Sequence, residues 1–379
     1  MDHQNILLVF GTRPEAIKLA PVALALDADP RFKVSICSTG QHRDMVSPVC
    51  DLFGLQLDHD LDIMVPGQTI DHVTTATLSR LPEVFAKTRP DRIIVQGDTS
   101  TAFAAGLSAF FHKIPIAHVE AGLRTHDLRS PWPEEGNRAL LSRIADLHFA
   151  PTLEARANLQ RENVAGEIVV TGNTVVDAAQ IAAKRVAGVK GLQIATRLGV
   201  STTDRKKILF TMHRRESFGE PVERVFQALR TIAETNDVEI LFPVHPNPNV
   251  AGPAQRILGR TDNVRLLPPL AYDEMIFVLK KAHLLVTDSG GLAEEAPTFG
   301  KPALILREST ERPECVDSGN ALLLGYDTVR LQALVTELLG GGERYRAMSS
   351  APNPFGDGHA SSRIVDTLAG HAVSLAAAA

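Results

Sequence analysis

Cysteine is scarce: Cys37, Cys50 and Cys315 are the only three in 379 residues, and none sits in a Cys-x-x-Cys pair. That excludes a disulfide framework and a zinc ribbon, and points to reduced thiols in a cytoplasmic protein. A charge excess is also missing. Lys plus Arg total 39 and Asp plus Glu 44, for a formal net charge of −5. So small an imbalance leaves no electrostatic footprint for nucleic acid or an anionic membrane, while a local basic site for a small anion stays open. No run approaches the ~20 apolar residues that span a bilayer. The first apolar run, Ile6–Phe10, is too short for a signal-peptide core, so no membrane insertion is expected. Four signatures are lacking as well: the G-x-G-x-x-G dinucleotide loop, the Walker A loop, the H-E-x-x-H zinc motif and the G-x-S-x-G nucleophile elbow. No metal and no cofactor is implied.

What is present is ordinary for a globular chain: 44% hydrophobic and 22% charged residues, over a length that suits two domains. Short β-branched runs alternate with stretches of helical period. Strands are expected at Ile6–Phe10, Lys33–Ser38, Arg92–Val95, Pro115–Val119, Asp146–Phe149 and Ile168–Val170. Helices are expected at Pro14–Leu26, Gln68–Lys87 and Ser100–His112. The same grammar restarts with strands at Lys207–Met212, Glu239–Val244, Val264–Leu267, Leu284–Thr287 and Ala303–Leu306. The helices between them are Gly219–Thr235, Tyr272–Ala282 and Gly291–Phe299. Strand–helix–strand repetition with few hairpin signals predicts an α/β chain of two Rossmann-like, doubly wound domains. The expected boundaries are 1–188, completed by a carboxy-terminal helix over 359–376, and 189–358. Periodicity lapses near Ala187–Thr202, and Ser349–Gly358 reads as a second connector.

Ligands of open parallel sheets sit beyond the carboxyl ends of the strands, so residues there are the candidates. Gly11 to Lys18 follows the first strand and puts Arg13 and Lys18 near a helix start. Asp98 follows Arg92–Val95, as an acid or as the cap of the next helix. Glu120 follows Pro115–Val119 and needs a partner or a role; Arg124 is one possible partner. Glu134 and Glu135 open a helix after Ser130-Pro131-Trp132-Pro133, where a carboxylate is favourable for the dipole alone. In the second half, His213 and Arg214 follow one strand and His245 another. Ser289, Gly290 and Gly291 stand between a strand and a helix, with amides suited to phosphate. Glu294 and Glu295 follow within a turn, positioned to accept from ribose hydroxyls, and Arg312 is a further anion ligand. Together these residues predict an enzyme that binds a phosphorylated nucleotide-like ligand and moves protons with strand-end carboxylates.

In order along the chain, the segments FGTRPEAIKLAP, GQHRDM, GDTS, HVEAGLRT, SPWPEEGNR, TGNTVVD, MHRRESFG, VHPNPNV, TDSGGLAEEAP, GKPALILR and STERPE closely resemble the bacterial non-hydrolysing UDP-N-acetylglucosamine 2-epimerases. They span roughly residues 6–320. The resemblance implies the GT-B arrangement, with the active site in the interdomain cleft, usually as a homodimer. It implies reversible conversion of UDP-GlcNAc to UDP-ManNAc, a precursor for surface polysaccharides, without a nicotinamide cofactor. The implied route is anti elimination of UDP to 2-acetamidoglucal, then readdition. A hydrolysing relative that releases ManNAc, and a 2-epimerase for a modified UDP-sugar, are the alternatives.

By resemblance Asp98, Glu120 and Glu134 are the acid/base groups, and Arg13, Lys18 and His213 serve the diphosphate during elimination. Ser289, Gly290 and Gly291 hold the phosphates, Glu295 the ribose, and Arg312 assists. Leu270 and Met275 fall where relatives contact uracil. Some members take a second UDP-GlcNAc as activator; the matching positions are Gln41, Asp44, Arg214 and His245, with Glu134 shared. Asp44 stands where activator-dependent members can carry glutamine, Met275 where an aromatic ring is common, and Ala293 where glutamine is frequent.

Overall fold

A computed structural model describes residues 3–200, 203–310 and 312–378. The chain divides into two compact units. One runs to Ala178 and resumes at Phe355; the other is Ala179–Pro354.

The first unit is built on a seven-stranded sheet in the order β3-β2-β1-β4-β5-β6-β7. Its strands are β1 (Gln4–Phe10), β2 (Phe32–Ser38), β3 (His59–Asp60), β4 (Arg92–Gln96), β5 (Ile116–Val119), β6 (Leu147–Ala150) and β7 (Glu167–Val170). Every neighbouring pair is parallel. Helices cover both faces of such a sheet, which is why β1 and β4 read as unbroken apolar runs rather than alternating ones. Ile6, Leu7, Leu8, Val9 and Phe10 are all buried. The strand order reverses between β1 and β4, the switch point where ligands of this architecture gather. The helix Ala360–Ala378 packs on Arg13–Asp27 and buries Ile364, Val365 and Leu368. Its first amides, on Ala360 and Ser361, donate to the Asp177 carboxylate at 3.2 and 2.9 Å. That gives the acid of the TGNTVVD segment a capping job.

The second unit has a six-stranded parallel sheet, β10-β9-β8-β11-β12-β13. The strands are β8 (Lys206–Thr211), β9 (Val238–Pro243), β10 (Val264–Leu267), β11 (Leu284–Thr287), β12 (Ala303–Ile305) and β13 (Ala321–Leu323). Three phenylalanines, Phe210, Phe226 and Phe242, meet edge to face at 4.7–6.0 Å between ring centres and anchor its core. The order reverses between β8 and β11.

Three expectations need correction. Within the expected lapse at 187–202, of which 201–202 lie outside the described residues, Val189–Leu198 is a helix that buries Ile194, Ala195 and Leu198. Its glycine, Gly191, interrupts the apolar stripe and hid it. The helix expected over Gly291–Phe299 is two pieces, α-helical Gly290–Glu295 and a tighter 3-10 turn over Ala296–Phe299. Pro297 has no N–H to continue the α ladder. The helix Arg43–Phe53 after β2 was not expected; Pro48 in its middle masks the period. Among the described residues, no helix is long and apolar enough to cross a membrane, and no His/Cys/Asp/Glu group is arranged to hold a metal ion.

Candidate active site

At the first unit's switch point the turns after β1, β4 and β5 carry the acids and cations. Gly11 ends β1 where a side chain has no room: a Cβ there would lie 2.1 Å from Thr39 Oγ1 and 2.5 Å from Thr101 Oγ1. The Thr101 hydroxyl in turn donates to Gln41 Oε1 at 2.8 Å, which seats Gln41 beside this turn. Arg13 opens the following helix, half-buried, and Lys18 lies one turn on.

Lys18 is largely withdrawn from solvent. Its Nζ donates to Glu120 Oε2 at 2.5 Å, with the two side chains 10% and 5% exposed. The Gln96 amide donates to the same oxygen at 2.8 Å. Glu120 adopts a left-handed backbone, φ 62°, immediately after β5. A non-glycine residue pays for that conformation with about 1 kcal/mol or more of strain, and it persists where the surroundings fix it. Here the Ala121 amide is held by Phe149 O at 3.0 Å. Arg124, the alternative partner for Glu120, instead grips Glu162 with two bonds of 2.6 and 2.9 Å.

Asp98 is not a helix cap. Thr99 caps the helix Ser100–Phe111, its hydroxyl accepting from Ala102 N at 3.0 Å. The Asp98 carboxylate faces Arg138 Nη2 at 2.5 Å, and its carbonyl accepts from Asn137 Nδ2 at 2.9 Å. Glu134 and Glu135 part company. Glu135 is buried, and its Oε1 accepts from the amides of Thr125 and His126, both at 3.0 Å. Glu134, at the first position of the helix Glu134–Ile144, is half-buried and, among the described residues, takes no side-chain partner. Of the two, Glu134 keeps a carboxylate available for chemistry. Asp44, in the first turn of Arg43–Phe53, is exposed.

Glu15 organises this rim. Fully buried, it accepts from Gly11 N and Thr12 N at 3.0 and 2.8 Å and from the Thr99 hydroxyl at 2.6 Å. One side chain therefore ties the turn after β1 to the turn after β4. The same bonds occupy the amides that in many Rossmann units receive a phosphate. Burial pushes the Glu15 carboxyl up to about 7, against the pull of Thr99, Gly11 and Thr12. His118 moves the other way: burial pushes it down to about 3, and its Nε2 hydrogen-bonds Gly97 O at 2.7 Å.

These shifts have opposite consequences for stability. Glu15 stabilises the fold below 4.5, and that contribution is lost as pH rises towards about 7. The neutral His118 contributes above 6.5, and that contribution is lost as pH falls towards about 3. Between 4.5 and 6.5 the two slopes cancel. Glu15→Gln removes one of them. The variant should gain on the parent by roughly 3 kcal/mol between pH 4.5 and pH 7.5. Denaturation midpoints at pH 4.5, 6 and 7.5 check this; a difference that does not change with pH contradicts it.

In the second unit the turns after β8, β9 and β11 converge. Asp288, wholly buried, accepts with Oδ2 from His213 N at 2.7 Å and Arg214 N at 2.8 Å. Arg214 Nε donates to the Asp288 carbonyl at 3.0 Å. The His213 ring stacks on His245 at 5.6 Å with 17° between planes. Burial, then the neighbouring His213, holds His245 below its ordinary value.

Ser289 N is taken by Thr287 Oγ1 at 2.9 Å. Gly290 lies against Arg312, and a Cβ on Gly290 would meet Nη1 at 2.8 Å. Around Gly291 a Cβ would meet nothing within 4 Å, which leaves open space beside this turn. Arg312 Nε donates to the buried Glu294, so that carboxylate fixes the guanidinium at the glycines. Glu295 is buried one residue on; Leu270 is buried, and Met275 is half-buried on the helix Tyr272–Lys281.

Two positioning acids, Glu15 and Asp288, have no candidate role in the sequence reading, and two named there take other jobs: Glu135 holds backbone amides and Glu294 holds Arg312. The spacing Thr12-x-x-Glu15 carries the S/T-x-x-E signature of a helix start. The other three bond to residues whose nearness only the fold creates.

Comparison with known proteins agrees with this architecture. A family described as UDP-N-acetylglucosamine 2-epimerase matches residues 24–369. The UDP-N-acetylglucosamine 2-epimerase of Salmonella typhimurium is 48% identical over 375 residues, 98% of this chain and 100% of that protein. The Bacillus subtilis protein of the same name is 45% identical over 379 residues, 98% and 96% of the two chains. Among solved structures, the UDP-GlcNAc 2-epimerase from Neisseria meningitidis bound to UDP-GlcNAc superposes with a TM-score of 0.90 at 42% identity, covering 96% of this chain and 99% of that one. Two Rossmann-like units, strand-end motifs in the expected order and identity of this extent leave one assignment: the chain belongs to the UDP-N-acetylglucosamine 2-epimerase family.

Proposed function

We propose that this protein is a non-hydrolysing epimerase that interconverts UDP-GlcNAc and UDP-ManNAc. The observation that supports it best is the set of acids Asp98 and Glu120 at strand ends and Glu134 at a helix start, in a chain whose relatives are named UDP-N-acetylglucosamine 2-epimerase over their full length. One carboxylate removes the proton from carbon 2 as the anomeric C–O bond breaks, giving 2-acetamidoglucal and UDP. UDP oxygen then re-forms the bond to carbon 1, while a proton reaches carbon 2 from the opposite face. Acids on both sugar faces satisfy the chemistry, and a held leaving group makes readdition faster than escape.

In this reading Lys18 and Arg13 offset charge near the reacting sugar, and His213 serves the departing diphosphate. Ser289, Gly290, Gly291 and Arg312 hold the phosphates and Glu295 the ribose. Leu270 and Met275 cover uracil; a thioether suits a base face. A second UDP-GlcNAc as activator would use Gln41, Asp44, Arg214 and His245, and the exposed acidic Asp44 disfavours that anion. The reading includes a cytoplasmic homodimer, which sedimentation at twice the chain mass would support and a monomer would refute.

Incubation with UDP-GlcNAc tests the subtype. A stable mixture of two UDP-sugars is expected; steady accumulation of free ManNAc would show a hydrolysing enzyme. Arg312→Ala should weaken UDP binding about tenfold or more, the worth of one charge-assisted hydrogen bond. Calorimetric titration with UDP reads this directly, and an unchanged Kd would remove Arg312 from the phosphate site.

A further inference from the structure

Asp288 carries no assigned role, yet it makes more contacts to the His213 turn than loop closure requires. Its Oδ2 already accepts both backbone amides, of His213 and Arg214. Its Oδ1 is buried and has no hydrogen-bond partner among the described residues; His213 Nδ1 stands 3.3 Å away, outside hydrogen-bond alignment, so a small rotation of the ring would complete the bond. The contrast in exposure is large: the imidazole is 41% exposed and the carboxylate 0%.

We infer that Asp288 is a positioning residue that fixes the His213 tautomer with its proton on Nδ1, leaving Nε2 to the substrate. The inference rests on the epimerase reading above for its catalytic consequence, but not for the tautomer. An ionised carboxylate only accepts, so the nitrogen it faces must carry the hydrogen. Burial opposes ionisation of Asp288, but the His213 ring and the two amides outweigh it and keep the group below the ordinary carboxylate range. The other groups around the pair do not compete for Oδ1. Arg214 Nε is spent on the Asp288 carbonyl, and His245 stacks on the His213 ring. The Tyr326 hydroxyl pairs with Ser217 Oγ at 2.9 Å. Stacking on His245 also resists a ring flip that would put Cδ2 in place of Nδ1 against Oδ1. A proton that arrives at Nε2 during turnover would then meet a carboxylate already placed to stabilise the imidazolium.

The first test is the tautomer itself. Nitrogen-15 NMR of the wild-type protein at pH 8 should show His213 protonated at Nδ1 and bare at Nε2; the reverse tautomer would overturn the inference without any variant. The second is a double-mutant cycle on carbon-2 hydrogen exchange. Asp288→Asn offers an N–H to Nδ1 and should cut the rate by ~10²-fold or more, with UDP affinity changed less than about threefold. In a His213→Gln background the same change should cost less than about threefold. Effects that multiply in the double variant would mean Asp288 acts by another route and would overturn the inference. If the wild type exchanges no carbon-2 hydrogen at all, the epimerase reading fails, while the tautomer result still decides for or against Asp288.

Discussion

Replacing Glu120 by glutamine is expected to lower carbon-2 exchange by ~10²-fold or more. Two effects are mixed in that number, and the structure separates them. Glu120 is the counter-charge of Lys18 at 2.5 Å in a site where both are nearly enclosed. Removing one member of a buried ion pair takes that counter-charge from the other, at ~3 kcal/mol or more of stability. A single variant that is slow could therefore be slow because it is loosened. The double variant Lys18→Met with Glu120→Gln removes both charges together, and Gln96 remains as a polar neighbour. It should recover much of the lost melting temperature but none of the exchange rate. Recovery of exchange in the double variant would reduce Glu120 to a structural partner of Lys18.

Asp98→Asn should give a rate loss of similar size with far less structural cost. The helix that follows does not depend on this side chain, because Thr99 caps it. The Asn137 Nδ2 bond goes to the backbone carbonyl of residue 98, which the substitution leaves untouched. Arg138 loses one partner but remains 3.3 Å from Glu135. A stability change of about 1 kcal/mol is expected beside a ~10²-fold loss of exchange. Exchange measured by NMR and melting by calorimetry on the same sample test the pairing of a large and a small effect. An Asp98→Asn enzyme with full turnover would assign the carboxylate to Arg138 alone.

The fold was legible because parallel strands covered on both faces must be apolar at every position, and such runs as Ile6–Phe10 and Leu284–Thr287 have no competing reading. The candidate acids Asp98 and Glu120 were picked by the same rule, since each stands in the turn after a strand, whereas Glu134 opens a helix well beyond β5. Pairing was a different matter. Lys18 finds Glu120 across 102 residues, and Asp288 meets His213 N across 75. No local pattern encodes those distances. Nearness in the chain does not decide pairing either: Arg124, the alternative partner for Glu120, turns to Glu162. The two adjacent acids at the helix start look equivalent in sequence, and only the fold shows Glu135 committed to backbone amides while Glu134 is not. The helix Val189–Leu198 escaped for a simpler reason: a glycine within it and another at each end read as a linker.

The central claim is proton exchange at carbon 2 during reversible loss of UDP, and one measurement reaches it directly. The protein is incubated with UDP-GlcNAc in D2O and followed by proton NMR. Deuterium should appear at carbon 2 of both UDP-GlcNAc and UDP-ManNAc, with the two sugars settling to a constant ratio. Epimerisation that retains the original carbon-2 hydrogen, or no exchange at saturating substrate, would contradict it.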